Sequence, residues 1–119
     1  MDTSGIRKKL AEEIKLFPYV NKFPVISPNV FLASGVKIIG DVNIGENSSV
    51  WYNTVIRGDV HYIKIGCLTN VQDSCMLHVT NNKYPLNIGN KVTIGHCVTL
   101  HGCTVFLKTF ALLEWVLLY

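Results

Sequence analysis

Charge is scarce in this 119-residue chain: Asp, Glu, Lys and Arg supply 16% of it, while 49% is hydrophobic. That balance excludes a disordered charged tail, and the frequent polar interruptions exclude a membrane-spanning protein. Basic clusters are nearly missing too. Arg7, Lys8 and Lys9 form the one basic run, read as a solvated helix face, and the rest of the net charge of +3 is scattered. No electrostatic footprint for nucleic acid follows from that pattern. The start, Met1-Asp2-Thr3-Ser4, lacks a basic region leading into an apolar stretch, so no secretory leader is expected and the cytoplasm is the expected compartment. Cys67, Cys75, Cys97 and Cys103 contain no C-x-x-C pair, and in a reducing compartment they read as core fillers rather than disulfides. Asn47-Ser48-Ser49 and Arg57-Gly58-Asp59 match short extracellular motifs that need an extracellular setting, and both are set aside.

What the chain does have is a rhythm. Val20, Ile26, Leu32, Ile38, Ile44, Val50 and Ile56 recur every six residues; the phase restarts at Ile65, Val71 and Leu77, then at Ile88, Ile94 and Leu100. The breaks fall at about residues 59 to 64 and 79 to 87, where insertions become loops. Glycine follows Ile44, Ile65, Ile88 and Ile94, which suits sharp corners between short flat strands. One inward aliphatic per face and three faces per turn give a triangular coil of about eighteen residues stacked on the next. An antiparallel sandwich would instead show period-two alternation and irregular turns. The expected fold is therefore all-β, a parallel β-helix over residues 18–105.

Both ends depart from the rhythm. Ile6, Leu10, Ile14 and Phe17 recur at helical spacing behind Thr3 or Ser4 as an N-cap, which predicts a short helix within an extension at 1–17, ending before Pro18. Residues 106–119 lose every glycine and corner residue and form an atypical apolar tail, too short to span a bilayer. A shifted reading frame or a truncated gene would account for it.

Three of the four histidines sit close behind core aliphatics: His78 after Leu77, His96 after Ile94-Gly95 and His101 after Leu100. An eighteen-residue turn places His78 and His96 on one edge a layer apart, with His101 nearly a face further round, and a neighbouring subunit could complete the set. Three neutral imidazoles with an open fourth position are the ligand set of catalytic zinc, which lowers its bound water's pKa to about 7. Arg57, Asp59, Asn70, Gln72 and Asp73 crowd two short stretches near the same coils, where they can orient ligands or form an ion pair between subunits.

Val55-Ile56-Arg57-Gly58-Asp59, Thr69-Asn70-Val71-Gln72-Asp73 through to His78, Ile94-Gly95-His96 and Leu100-His101-Gly102-Cys103 together resemble the γ-class carbonic anhydrase-like family of hexapeptide-repeat proteins. The resemblance covers about residues 18–105, in the family's order. It implies a left-handed β-helix and a homotrimer with zinc, or iron in its place, at each subunit interface. His78 and His101 would come from one chain and His96 from its neighbour. It also implies an intersubunit ion pair between Arg57 and Asp59, a contact from Gln72 to the metal-bound water, and a polar shell containing Asn70 and Asp73. The implied reaction is hydration of carbon dioxide to bicarbonate.

The chain departs from that family in two places. Val60 stands where the best-characterised active γ enzymes carry a glutamate for proton transfer, and the loop after His78 has no acidic residue, which predicts weak turnover, with His61 as a candidate proton shuttle. After Val105 the glycine-punctuated coils stop. The rival readings are a metal-binding or scaffold protein without turnover and a hexapeptide acyltransferase using coenzyme A; the three histidines weigh against the second.

Overall fold

The computed structural model describes residues 13–106, which fold as a parallel β-solenoid of about four turns. Its strands are β1 (Leu16–Phe17), β2 (Val25–Ile26), β3 (Phe31–Leu32), β4 (Lys37–Ile44), β5 (Ser49–Val50), β6 (Val55–Ile65), β7 (Asn70–Val71), β8 (Met76–His78), β9 (Leu86–Ile88), β10 (Thr93–Ile94), β11 (Thr99–His101) and β12 (Thr104–Val105). Every ladder between them is parallel. Ile38, Ile56, Leu77 and Leu100 stack on the first face, Ile26, Ile44, Ile65, Ile88 and Val105 on the second, and Leu32, Val50, Val71 and Ile94 on the third. The long strands β4 and β6 run through the first face and on into the second, which joins those two into one sheet.

These inward rows make one core. Ile38, Ile56, Leu77, Ile94 and Leu100 are all buried, and a second inward residue two positions earlier widens each layer, as with Val36, Val42, Leu86, Val92 and Val98. At two corners that second residue is a buried hydroxyl. Ser48 Oγ donates to the Gly66 carbonyl at 2.6 Å and accepts the Thr69 amide; Thr69 Oγ1 repeats the pattern onto Gly89 O at 2.6 Å. Thr54 Oγ1 donates to Gln72 O at 2.6 Å and accepts the Cys75 amide, and the Cys75 thiol follows with Gly95 O at 3.0 Å. The corners are thereby tied from coil to coil, because a buried hydroxyl without a partner would be costly.

Three expectations need correction. The predicted helix lies mostly outside the described residues, and its last part is strand: Leu16 and Phe17 form β1 beside Ile38 and Ile39, and no described residue is helical. Val20, assigned to the core row, is 86% exposed in a left-handed turn position with φ of 55°, so the buried rhythm starts later. Glycine's corner role is also different from the one expected. Gly45, Gly66 and Gly89 do not have positive φ; a Cβ on Gly45 or Gly66 would instead sit under 3 Å from the backbone of the next coil. The left-handed corner positions fall two residues later, on Asn47, Leu68 and Lys91. All but the first residue of the expected tail at 106–119 lies outside the described residues.

Candidate metal centre

Insertions, not the basic period, decide which histidines meet. A turn takes eighteen residues from Ile38 to Ile56, but three extra residues inside β6 between Gly58 and Ile63, strand where a loop was expected, lengthen the next to reach Leu77, and the loop at 79–85 lengthens the one after to reach Leu100. His101 therefore stands in register with His78 on adjacent strands β11 and β8, not His96. The expected placing of His78 above His96 is overturned for that reason.

The His78 and His101 rings lie 5.2 Å apart, edge to face. His78 is held from both sides: its Nε2 is 2.9 Å from Asp59 Oδ1, and the Arg57 guanidinium reaches its Nδ1 at 3.4 Å. Asp59 also accepts the Val60 amide at 2.8 Å and faces Arg57 at 3.7 Å. Burial opposes ionisation of Asp59, but His78, the Val60 amide and Arg57 together keep its carboxyl below the usual range. Partial burial, reinforced by the charges of His78 and Arg57, pushes His101 down from its ordinary value. A lowered imidazole pKa favours the neutral ring that binds metal. Thr80 Oγ1 lies 3.3 Å from His101 Nδ1.

His96 sits on the other flank of the first face, exposed, with Nδ1 3.6 Å from Asp73. Asn70 belongs to that side, where its Oδ1 accepts the Ser49 hydroxyl at 2.9 Å; Gln72 and Asp73 follow it towards the same corner. The sequence-predicted site is thus divided in two. One corner brings together Arg57, Asp59, His78 and His101; the other brings Asp73 and His96, with Asn70 and Gln72 leading to them. Among the described residues of this one chain, no three His, Cys, Asp or Glu side chains converge as a metal-binding group.

Residues 23–58 match the family model described as "Bacterial transferase hexapeptide (six repeats)". The chain belongs to the hexapeptide-repeat family. Its homologues are γ-carbonic anhydrase-like. It is 41% identical over 109 residues to the mitochondrial gamma carbonic anhydrase 1 of Arabidopsis thaliana, covering 87% of this chain and 40% of that one. It is 49% identical over 90 residues to a carbonic anhydrase of Geobacillus kaustophilus, covering 76% and 49%. A crystal structure titled as a hexapeptide transferase family protein from Anaplasma phagocytophilum superposes with a TM-score of 0.71 at 46% identity, covering 76% of this chain and 52% of that one. The hexapeptide chain thus spans about half the length, or less, of these relatives.

The donor chemistry of this hexapeptide-repeat protein suits a divalent ion. His78 and His101 are neighbouring imidazoles with a carboxylate behind His78, as carboxylates stand behind zinc-ligating histidines, and the Arg57 guanidinium must leave the His78 Nδ1 before that nitrogen can hold an ion. The Arg57 Nε is the one buried side-chain polar atom among the described residues that has no hydrogen-bond partner, so this corner still calls for an acceptor. Sequence reasoning missed Thr80 as a neighbour of His101; the length of the inserted loop is the signal that carried it. It also raised His61 as a proton acceptor, but His61 Nδ1 accepts the Tyr62 amide at 3.0 Å, and the ring can take up a proton there only after that bond opens.

Proposed function

We propose that this chain is a subunit of a γ-carbonic anhydrase-like homotrimer that converts carbon dioxide and water to bicarbonate. One zinc ion, or iron, would be held between chains by His78 and His101 of one subunit and His96 of the next. The observation that carries the reading is the division of the site: His78 and His101 pair in register at one edge of the first face, while His96 occupies the opposite flank. Two chains related by rotation can bring those edges together, and a heterologous contact of that kind closes into a ring. When bound, zinc supplies the Lewis acidity that makes water nucleophilic near neutral pH. Asp59 fixes the His78 ring and Thr80 lies against His101. Gln72, Asn70 and Asp73 arrive with the neighbour's His96 corner to orient the nucleophile and substrate, and Arg57 is placed to join an ion pair across the interface.

A cavity of about 340 Å³ adjoins this corner, lined by Asp59, Val60, His61 and Asp41 among others. Val60 offers it no proton acceptor, and His61 is tied to the Tyr62 amide. That favours slow turnover, and it also supports the second reading, a metal-binding protein without turnover. Metal analysis, mass in solution and stopped-flow hydration of carbon dioxide on the zinc-loaded protein separate the readings. A trimer with about one zinc per chain and a rate above buffer supports the enzyme. A zinc-loaded trimer at the buffer rate leaves the scaffold, and a monomer that binds no metal rejects both.

A further inference from the structure

The corner between the second and third faces carries none of the three histidines, yet it holds the larger cavity. A groove of about 640 Å³ runs across the coils there, from Ser27 past Gly45, Gly66 and Gly89 to Phe106. That volume lies in the range of small-molecule sites. Its floor is bare backbone, since the closeness of the coils forbids a Cβ on Gly45 or Gly66. Coil stacking alone explains the floor but does not explain the wall.

The wall is a register row from three neighbouring strands: Asn43 on β4 pairs with Lys64 on β6, and Lys64 pairs with Asn87 on β9. Rungs of a parallel sheet are about 4.8 Å apart, so two asparagine residues flank the lysine across about 10 Å. Lys64 Nζ lies 5.1 Å from the Tyr62 ring centroid, so without ligand its side chain leans back along β6 towards a ring outside the groove and must swing to meet an anion. Among the described residues no carboxylate lines the groove, and Lys64 is its one charged lining residue. A lysine between two asparagines in a groove that Phe106 also lines matches an anionic oxygen group on a partly apolar body.

We propose that this groove is a second binding site, for a small organic anion whose carboxylate or phosphate oxygens sit at Lys64 between Asn43 and Asn87. Cys67 lines the same groove and is exposed, and it reports on occupancy. Cys97 is exposed on the histidine-bearing corner and serves as the internal control. The full-length protein is alkylated with iodoacetamide in butyrate, in inorganic phosphate, and in chloride of equal ionic strength, and each cysteine is followed by mass spectrometry. Slower alkylation of Cys67 alone is expected in one of the two probes, and which one distinguishes a carboxylate from a phosphate ligand. Lys64→Gln is expected to raise the half-protecting concentration about tenfold, and Lys64→Arg to keep it near the wild-type value. Lys64 points outward, so both variants are expected to fold. Equal slowing at Cys67 and Cys97, no slowing in either probe, or protection unchanged in Lys64→Gln would overturn the proposal.

Discussion

Two kinds of corner hold this solenoid together, and they obey different rules. At the corners on either side of the third face the chain keeps strict time, with a left-handed residue at each turn and buried hydroxyls that tie one coil to the next; the corner entering that face adds close-packed Gly45 and Gly66 two positions before the left-handed residue. At the corner between the first and second faces the chain is interrupted twice by insertions, and there Asp59, His78 and His101 assemble. The irregular corner gathers Asp59, His78 and His101, whereas His96 and Asp73 ride on the regular corner between the third and first faces, so the inserted segments and the rigid frame each present half of the candidate site.

The largest expected effect tests the strictness of the regular corners. In Gly66→Ala the added Cβ would lie 2.6 Å from the Gly89 backbone and 2.3 Å from Asn90 Oδ1, so two coils must separate. Overpacking of that kind is expected to cost about 3 kcal/mol. Asn81→Ala in the exposed inserted loop, at a position without positive φ, is expected to cost under about 0.5 kcal/mol. Urea unfolding of both variants measures the contrast, and similar midpoints would erase the distinction between the corners.

Next in size is the hydroxyl ladder. Thr54 is fully buried, and its hydroxyl serves two partners, Gln72 O at 2.6 Å and the Cys75 amide at 3.1 Å. Thr54→Val keeps the shape but orphans both groups, and is expected to lower stability by about 2 kcal/mol. Thr54→Ser, which keeps the hydroxyl, is expected to recover most of that loss. A valine variant as stable as the serine one would show that packing, not the tie between coils, holds the corner.

Much of this was legible in the amino acids, and the limits have physical causes. The aliphatic rhythm names the inward rows from Ile38 to Leu100 because burial on a flat face demands an apolar residue at each repeat. It fails at Val20, where an aliphatic in phase is fully outside the stack, since period says nothing about whether a coil exists to receive the side chain. The histidine pairing was misread for a related reason. Loop length adds to the coil without changing the motif, and a few inserted residues move the register partner of His78 from His96 to His101. The second inward position escaped notice because it alternates between aliphatics and hydroxyls, as at Val92 and Thr69, and so shows no hydrophobic signal.

A smaller effect sharpens the account of the left-handed positions. Equivalent corners place Asn29, Asn47, Leu68 and Lys91 at φ between 54° and 61°, and only asparagine is commonly comfortable there. Leu68 is half exposed, so its side chain contributes little packing in return. Leu68→Asn is expected to raise stability by about 0.5 to 1 kcal/mol, read as an upward shift in the thermal midpoint. Asn47→Leu is the reciprocal change and should lower it. If neither moves the midpoint, backbone strain at these corners is relaxed in some other way.

The smallest effect concerns how the first described residues are held to the stack. Glu13 accepts the Gly35 amide at 2.6 Å and lies 3.3 Å from Lys15, and the Gly35 amide is the main reason its carboxyl sits below the ordinary value of 4.5. A carboxylate with a depressed folded pKa stabilises fully above its unfolded pKa and loses that contribution as the pH falls through the folded value. The tether is therefore intact at neutral pH and weakens only below about 4.5. Glu13→Gln removes the charge at every pH, so its urea midpoint should lie below the wild type at neutrality and converge with it in acid. A difference that stays constant from neutral to acidic pH would mean that Glu13 contributes through packing and not through its ionised hydrogen bond to Gly35.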